Sequence, residues 1–569
     1  MIVTLYGDAR LVHDAPGGVT VFGRRTPLGV TFIERRADGV HTVMCSSPVQ
    51  NRAIVPSPDP PDGDGGCVVW HCRQLRTTDH PALTYAEREY DRVLPLFIFD
   101  PSFYGEDGLA CDARIRFVHE SVADLAAQYA DRSGGLTLAY GDPIAVLRSF
   151  RDAGWDIATT ADPTGRYGLR RDNAAAEACN VTFLDADGLV RGTERSRENW
   201  SDHVEAWLTD EQVTWDETAV ELDHIETPVS VEAIEARHSV DPEKTIERRG
   251  GTAAAWAAVE SFADRLAAYP GRISAPSDAR TGTSQLSPYL RFGCVSVRQV
   301  YQFIDEDCRD GRAKQMFVSR LYWNKHYNQK LADWPGWMET AVNPVLEEFH
   351  AETHDPALVA AWKRGETGYP MVDASMRCLE ETGWLNFRMR AMCASFLCDL
   401  LQQPWKIGAD WFYYHLLDAD PAINYTQFQI QAGVDGTNMM RIYNPRKQVS
   451  DNDPDGAFVT NWVPELADLP TEHLPRPEKT PLHVQEDCGV SVGDDYPYPI
   501  VEYEAARKRI LDKFAAVESE AKRALRDPEV RRRASLSQRG GADDTDAGAT
   551  SEPPPDDSGS EQSSLARFE

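Results

Sequence analysis

The chain changes rhythm once, and that change limits its fold more than any other feature. From residue 67 to about 200, short apolar runs such as "VLPLFIF" (93–99) and "LTLAY" (136–140) alternate with polar turns and helix-like stretches. Such unbroken runs read as strands buried on both faces, and strands alternating with helices predict a parallel sheet. In "DPIAVLRSFRDAG" (142–154), Asp142 stands as a helix N-cap, Pro143 takes the first helical position and Gly154 marks the stop. Beyond about 250 the strand-length runs end. "TAAAWAAVESFADRLAAY" (252–269) puts Ala255, Val259, Phe262 and Leu266 on one helical face, and the helical pattern continues to about 525. The expected architecture is a parallel α/β domain over 67–200, an acidic connector over 201–250 and an all-α domain over 251–525.

The two ends read differently. Residues 1–66 contain "GVTVFG", "GVTFIERR" and "GVHTVMC", which look like short strands, and then "SPDPPDGDGG" (57–66), which reads as a flexible link. They form either a small β appendage or a stretch upstream of the working protein, and no role is assigned to them. The tail over 526–569, with "SQRGGADDTDAGATSEPPPDDSGSEQSS", has little to bury and is expected to be disordered and acidic.

At 569 residues the chain is too long for one ordinary core. Ninety acidic residues against 59 basic ones give a formal net charge of −31, and the first lysine is Lys244. Such a charge repels nucleic acid in dilute salt, is screened in concentrated salt and aids solubility there. The composition therefore reads as that of an extreme halophile's cytoplasmic protein. A GC-rich genome would explain the preference for arginine but not the acid excess. The 11 cysteines lack a CxxC pair, so neither a disulfide frame nor a metal site is expected. Cys393 and Cys398 read as packing residues. No apolar run approaches membrane-spanning length, and no signal-peptide pattern opens the chain. GxGxxG and GxxxxGK[ST] loops are missing, which leaves the usual dinucleotide and P-loop readings without support.

Three motifs carry chemistry. "TGTSQLSPYLRFGCVS" (281–296) sets Thr283, Ser284 and Ser287 at a helix start, a combination that suits a phosphate or serves as plain capping. "GETGYPMVDASMRCLEETGWLNFRMRAM" (365–392) reads as a helix from Pro370 to Gly383, followed by Arg388 and Arg390 on a second apolar helix. An arginine there calls for an acid. "DADPAINYTQFQIQAGVDG" (418–436) supplies one: Asp420 before Pro421 reads as an N-cap, whereas Asp418 has no such structural use. "RIYNPRKQVSDNDPDGAFVTNWVPEL" (441–466) follows, with a "DPDG" turn.

Together with "WHCRQLRTTDHPAL" (70–83), these motifs resemble the DNA photolyase and cryptochrome family over roughly 67–515. The resemblance implies an α/β, Rossmann-like antenna domain joined to an all-α domain that binds FAD in a folded, U-shaped conformation. It also implies site residues. Asp418 would pair with Arg390 beside the isoalloxazine, Asp420 would lie near the flavin's polar edge, and Asn424 would face flavin N5. Thr283, Ser284, Leu286 and Ser287 would cradle the FAD phosphates, with Tyr269 as an aromatic neighbour and Arg388 alongside. Trp323 and Trp384 match residues that meet the DNA lesion.

Several positions depart from the family pattern. A glutamate that hydrogen-bonds the dimer is expected three residues before Trp323, and Arg320 stands there. Phe387 replaces an asparagine, and Ile430 replaces a second pocket tryptophan. The paired histidines of (6-4) repair and the four-cysteine iron–sulfur site of another branch have no counterpart. In the electron-supplying tryptophan chain the middle member is Trp405, but the flavin-proximal position is Phe428, which cannot be oxidised at accessible potentials, and the surface one is Glu352, so that route is broken. Trp411, Tyr413, Tyr414 and Tyr425 are the available substitutes.

The expected function is therefore a blue-light-driven flavoprotein with FAD. Repair of UV-damaged DNA by photoinduced electron transfer, with Arg320, Trp323, Trp384 and Asn424 at the reacting centre, is slightly preferred to a cryptochrome-type photoreceptor with a signalling protein partner. An antenna chromophore, a folate or a deazaflavin, stays unassigned. The protein is expected to be a cytoplasmic monomer without membrane contact.

Overall fold

The strand-length runs do become a parallel sheet. In the computed structural model, which describes residues 58–534 apart from 106, 133, 192–199, 246 and 437–440, together with the backbone of four strands nearer the N-terminus, six strands make up the α/β domain. They are β1 (Gly66–His71), β2 (Arg92–Phe99), β3 (Thr137–Tyr140), β4 (Asp156–Ala161), β5 (Thr182–Asp185) and β6 (Glu221–Leu222). The order is β5–β4–β1–β2, with β3 and β6 sharing the far edge of β2, and every pairing is parallel. β1 is buried along its whole length and β2 along all but its first residue, since helices and apolar clusters cover both faces of the sheet. The order reverses between β1 and β4, which opens a crevice beyond their carboxyl ends.

Several local expectations hold. Asp142 caps Pro143–Asp152 through the Ile144 N–H, and Ala255, Val259 and Phe262 are all buried on Thr252–Arg265. Four strands, Val12–Ala15, Val19–Thr26, Gly29–Arg36 and Gly39–Met44, pair antiparallel in sequence order near the N-terminus.

Three expectations need correction. The segment expected as a flexible link is a fitted strap from residue 58 onward. The Trp155 indole donates to the Pro61 carbonyl at 2.9 Å, the Gly63 N–H bonds the Ala153 carbonyl at 2.8 Å, and a Cβ on Gly63 would overlap the Trp155 ring. The connector is shared between the domains: Val204 and Leu208 join the helical core, while Glu221 and Leu222 complete the sheet. The tail begins later than 526, because Pro528–Ala534 is helical and packed, with the Arg533 guanidinium 4.6 Å over the Trp334 ring and its carbonyl accepting from Lys330. Residues 535–569 lie outside the described residues.

The helical domain is built around α1 (Arg312–Asp333), α2 (Pro370–Thr382), α3 (Phe387–Ser395), α4 (Trp405–His415) and α5 (Pro421–Gln431). α2 starts at Pro370 and ends on Gly383 in the left-handed region, as the motif predicts. Cys393 and Cys398 are fully buried in the core between α2 and α5. No helix among the described residues is long and apolar enough to cross a membrane.

Candidate functional site

The two acids before α5 divide their work. Asp420 is the N-cap: its Oδ1 accepts the Ala422 N–H at 2.9 Å and the Ile423 N–H at 3.3 Å, with Pro421 at the first helical position. Asp418 does no capping. Its Oδ2 accepts from Arg390 Nη2 at 3.0 Å, and Arg390 is itself held by an Nε bond to the Leu385 carbonyl at 2.7 Å. The expected pair is therefore formed, with the carboxylate side chain only 5% exposed. Such a pair tolerates little damage, since removing one partner leaves an uncompensated buried charge. One turn along α5, Asn424 donates Nδ2 to the Ala409 carbonyl at 2.8 Å and so ties α5 to α4.

The start of α3 grips the segment after Tyr269. Asn386 donates to the carbonyls of Ile273 (3.3 Å) and Ser274 (3.0 Å), and Arg388 donates to the Ser274 hydroxyl at 3.0 Å. Tyr269 is buried edge-on against Phe262 and Phe317, which sets it beside α1. Of the cradle hydroxyls, Thr283 bonds the Ala279 carbonyl at 2.7 Å, Ser284 accepts the Leu286 N–H at 3.4 Å, and Ser287 is exposed. Leu286 is buried beneath them. Between these residues Gln285 takes a φ of 52°, and Arg248 holds its amide at 2.6 Å.

Whether these residues suit a flavin can be judged from the acceptors left over. Asp418 Oδ1 and Asn386 Oδ1 are buried without a hydrogen-bond partner among the described residues. A flavin ring donates through N3–H, and through N5–H once reduced, which is the kind of group these acceptors lack; unpaired buried acceptors are rare enough to call for one. The residues fit the group. When bound, FAD supplies one-electron chemistry and visible absorption.

The residues that the resemblance sets at the mouth of the site are held differently. Arg320, Trp323 and Tyr327 follow one another along a face of α1. Trp323 stacks on Tyr327 with centroids 5.5 Å apart and 28° between planes, and it meets the edge of His326. The Gln427 amide of α5 donates to the Tyr327 hydroxyl. Arg320 is half-buried and makes no hydrogen bond or ion pair with the described residues. Trp384 and Ile430 are half-buried, and Phe387 is 54% exposed at the first position of α3.

Residues 67–190 match the DNA photolyase family and residues 317–516 the FAD binding domain of DNA photolyase. A deoxyribodipyrimidine photo-lyase of Halobacterium salinarum is 30% identical over 496 residues, covering 79% of this chain and 98% of the relative. A cryptochrome DASH of Natronomonas pharaonis is 31% identical over 470 residues, covering 77% and 98%. The crystal structure of an archaeal photolyase from Sulfolobus tokodaii, described with two FAD molecules, superposes with a TM-score of 0.66 at 25% identity, covering 79% of this chain and all of that one. The chain belongs to the DNA photolyase and cryptochrome family.

In this family member the crevice at the β1/β4 switch point is a cleft of about 460 Å³ running from the sheet to α4 and α5. Two buried atoms lining it, Asp100 Oδ2 and Arg291 Nη1, have no partner among the described residues. Burial raises the Asp100 pKa and lowers that of Arg291, where the neighbouring Arg73 adds to the effect. On one wall the Tyr104 hydroxyl bonds His119 Nε2 at 2.9 Å, and His119 Nδ1 bonds Glu235 at 3.0 Å. Arg73, one of the arginines of the "WHCRQLR" loop, reaches across to Asp420 Oδ2 at 3.4 Å. Trp405 is buried at the start of α4, Phe428 is buried on α5, and Glu352 is exposed, so these three positions carry a single indole.

Sequence reasoning missed Arg73, Arg291 and Asn386 as site residues. Arg73 and Arg291 sat within these motifs, but their partners lie 90 to 347 residues away. Asn386 had a signal, being a polar residue between two apolar helices.

Proposed function

We propose that this protein is a photolyase-type, FAD-dependent flavoprotein that uses blue light to transfer an electron to a UV lesion in DNA and then recovers it. The observation that carries this reading is the stacked Trp323–Tyr327 pair on α1, which the family resemblance sets, with the half-buried Trp384 and the exposed Phe387, over a site whose floor fits a flavin. Aromatic faces are what a flipped base stacks on, whatever its sequence. Arg320 and Arg388 supply cations for the lesion's phosphates or charged edges. Asp418, Arg390, Asp420 and Asn424 hold the isoalloxazine, and Tyr269, Thr283, Ser284, Leu286 and Ser287 surround the remainder of FAD.

The cleft supports a second, light-gathering chromophore of planar aromatic type. Solvent extraction of the purified protein followed by mass spectrometry identifies it as a folate, a deazaflavin or a second flavin. The working form is a cytoplasmic monomer, checked by size-exclusion chromatography in molar KCl, the medium that a net charge of −31 favours.

The test is light-dependent repair. FAD-loaded, pre-reduced protein in molar KCl is given oligonucleotides with a cyclobutane dimer or a (6-4) photoproduct, lit and dark. Repair in the light alone is expected. A flavin that binds and reduces while no lesion is repaired moves the protein to the photoreceptor reading, which the replacement of an acid by Arg320 favours.

A further inference from the structure

The turn that carries Thr283, Ser284 and Ser287 sits among more positive charge than it uses. Gln285 at its centre is 7% exposed, takes a φ of 52° and has both ends of its amide spent. Its Oε1 accepts from Arg248 Nε at 2.6 Å, and its Nε2 donates to the Arg280 carbonyl. The turn's central side chain thus brings no charge, and the cation beside it comes from the connector, 37 residues earlier. The N–H groups of Ser284 and Gln285 make no hydrogen bond with the described residues. Arg265 also holds this turn, donating to the Thr281 carbonyl and to that of Thr283 at 3.0 Å.

Three guanidiniums therefore converge on a few residues of backbone. Arg280 is paired with Glu247 at 2.9 Å, whereas Arg248 and Arg265 have no ion pair among the described residues. The Nη1 and Nη2 groups of Arg248 donate to none of those residues either. Burial lowers the Arg248 pKa, and Arg265 and Arg280 lower it further, against the pull of Tyr289 and Glu247. In a chain with 90 acidic residues to 59 basic ones, this spot reverses the balance. The backbone on both sides of Arg248 is pinned as well. The Thr245 N–H bonds the Glu381 carbonyl at 2.8 Å, Tyr289 donates to the Arg249 carbonyl at 2.9 Å, and the Gly250 N–H bonds Glu120 at 2.8 Å.

Holding like charges together in a partly buried place is unfavourable unless an anion offsets them. A guanidinium with unused N–H edges suits phosphate oxygens, and free backbone N–H groups beside a left-handed residue form a concavity that binds anions.

We infer that Arg248 is a cofactor-binding residue supplied by the connector, whose free Nη groups take the diphosphate of FAD at the 283–287 turn. This rests on the flavin reading above. The competing role is a prop, in which Arg248 does no more than hold Gln285 in place.

The test uses the full chain, stripped of flavin in molar KCl and titrated with FAD, with the dissociation constant read from quenching of flavin fluorescence. Arg248→Gln is expected to weaken FAD binding at least tenfold, while Arg248→Lys, which keeps the charge, stays within threefold of the parent. Gln285→Ala removes the tether but keeps the cation, and it should cost less than Arg248→Gln. ADP, which carries a diphosphate without the flavin ring, is expected to compete with FAD on the parent, with an inhibition constant that rises at least tenfold on Arg248→Gln. Equal losses in Arg248→Gln and Gln285→Ala, or a lysine variant as weak as the glutamine one, make Arg248 a prop and overturn the inference alone. So does unchanged FAD affinity in Arg248→Gln. If Arg248→Gln does not fold, Arg248→Lys and ADP competition on the parent decide: a loss beyond threefold, or no competition, overturns the inference. A parent that takes up no FAD overturns the flavin reading and the inference with it.

Discussion

The floor and the mouth of the flavin site lie close in the fold but obey different rules. On the floor, Arg390, Asp418, Asp420 and Asn424 are each fixed by hydrogen bonds of 2.7 to 3.4 Å to named partners. At the mouth, Arg320 makes no polar bond with the described residues, and Phe387 leaves 54% of its surface exposed. Most buried polar groups must be satisfied by the fold, so their partners are fixed before any ligand arrives, and only atoms such as Asp418 Oδ1 and Asn386 Oδ1 are left for one. An exposed group is free to be chosen by the ligand. The floor therefore speaks for the family, and the mouth speaks for this member.

Substitutions test that contrast from opposite sides. Arg390→Ala should have the largest effect, because it leaves Asp418 buried and unpaired: stability falls by about 3 kcal/mol and the purified protein comes off the column colourless. Denaturant unfolding and the flavin absorbance band measure the two losses. Arg320→Glu should leave the melting temperature and flavin content unchanged while weakening binding of lesion-bearing DNA about tenfold, or roughly 1.4 kcal/mol, as read by fluorescence anisotropy in fixed salt. Adding Phe387→Asn sharpens the point. If the double variant repairs cyclobutane dimers and the parent repairs no lesion, the mouth of the parent was never a repair pocket. Phe387→Ser should be the mildest, changing stability by no more than about 0.5 kcal/mol and lesion affinity by a few-fold. A large loss of stability there would show that Phe387 belongs to the fold and not to the mouth.

The same contrast explains what was legible in the sequence. Helix limits at Pro143, Pro370 and Pro421 were readable because proline, joined at the first and last by a capping acid, acts within a few residues of itself. The Asp418–Arg390 pair was readable because an acid without a local use and an arginine on an apolar helix each lack a partner until they meet. The strap at 58–66 was misread for the opposite reason. Its prolines, aspartates and glycines are those of a mobile linker, and only Trp155, far along the chain, turns it into packed structure.

The bond from Arg73 to Asp420 joins residues 347 positions apart. During synthesis, Arg73 emerges just after the first strand of the sheet and must wait for a further 347 residues before its acid exists. The cap of α5 itself is local, through Asp420 Oδ1, but the Arg73 clamp on its other oxygen needs both domains in place. A helical domain made alone would start α5 with an acid that has lost its distant clamp. The two halves of this protein are therefore better regarded as one unit of assembly, finished from the far end, than as a receptor domain with a detachable antenna.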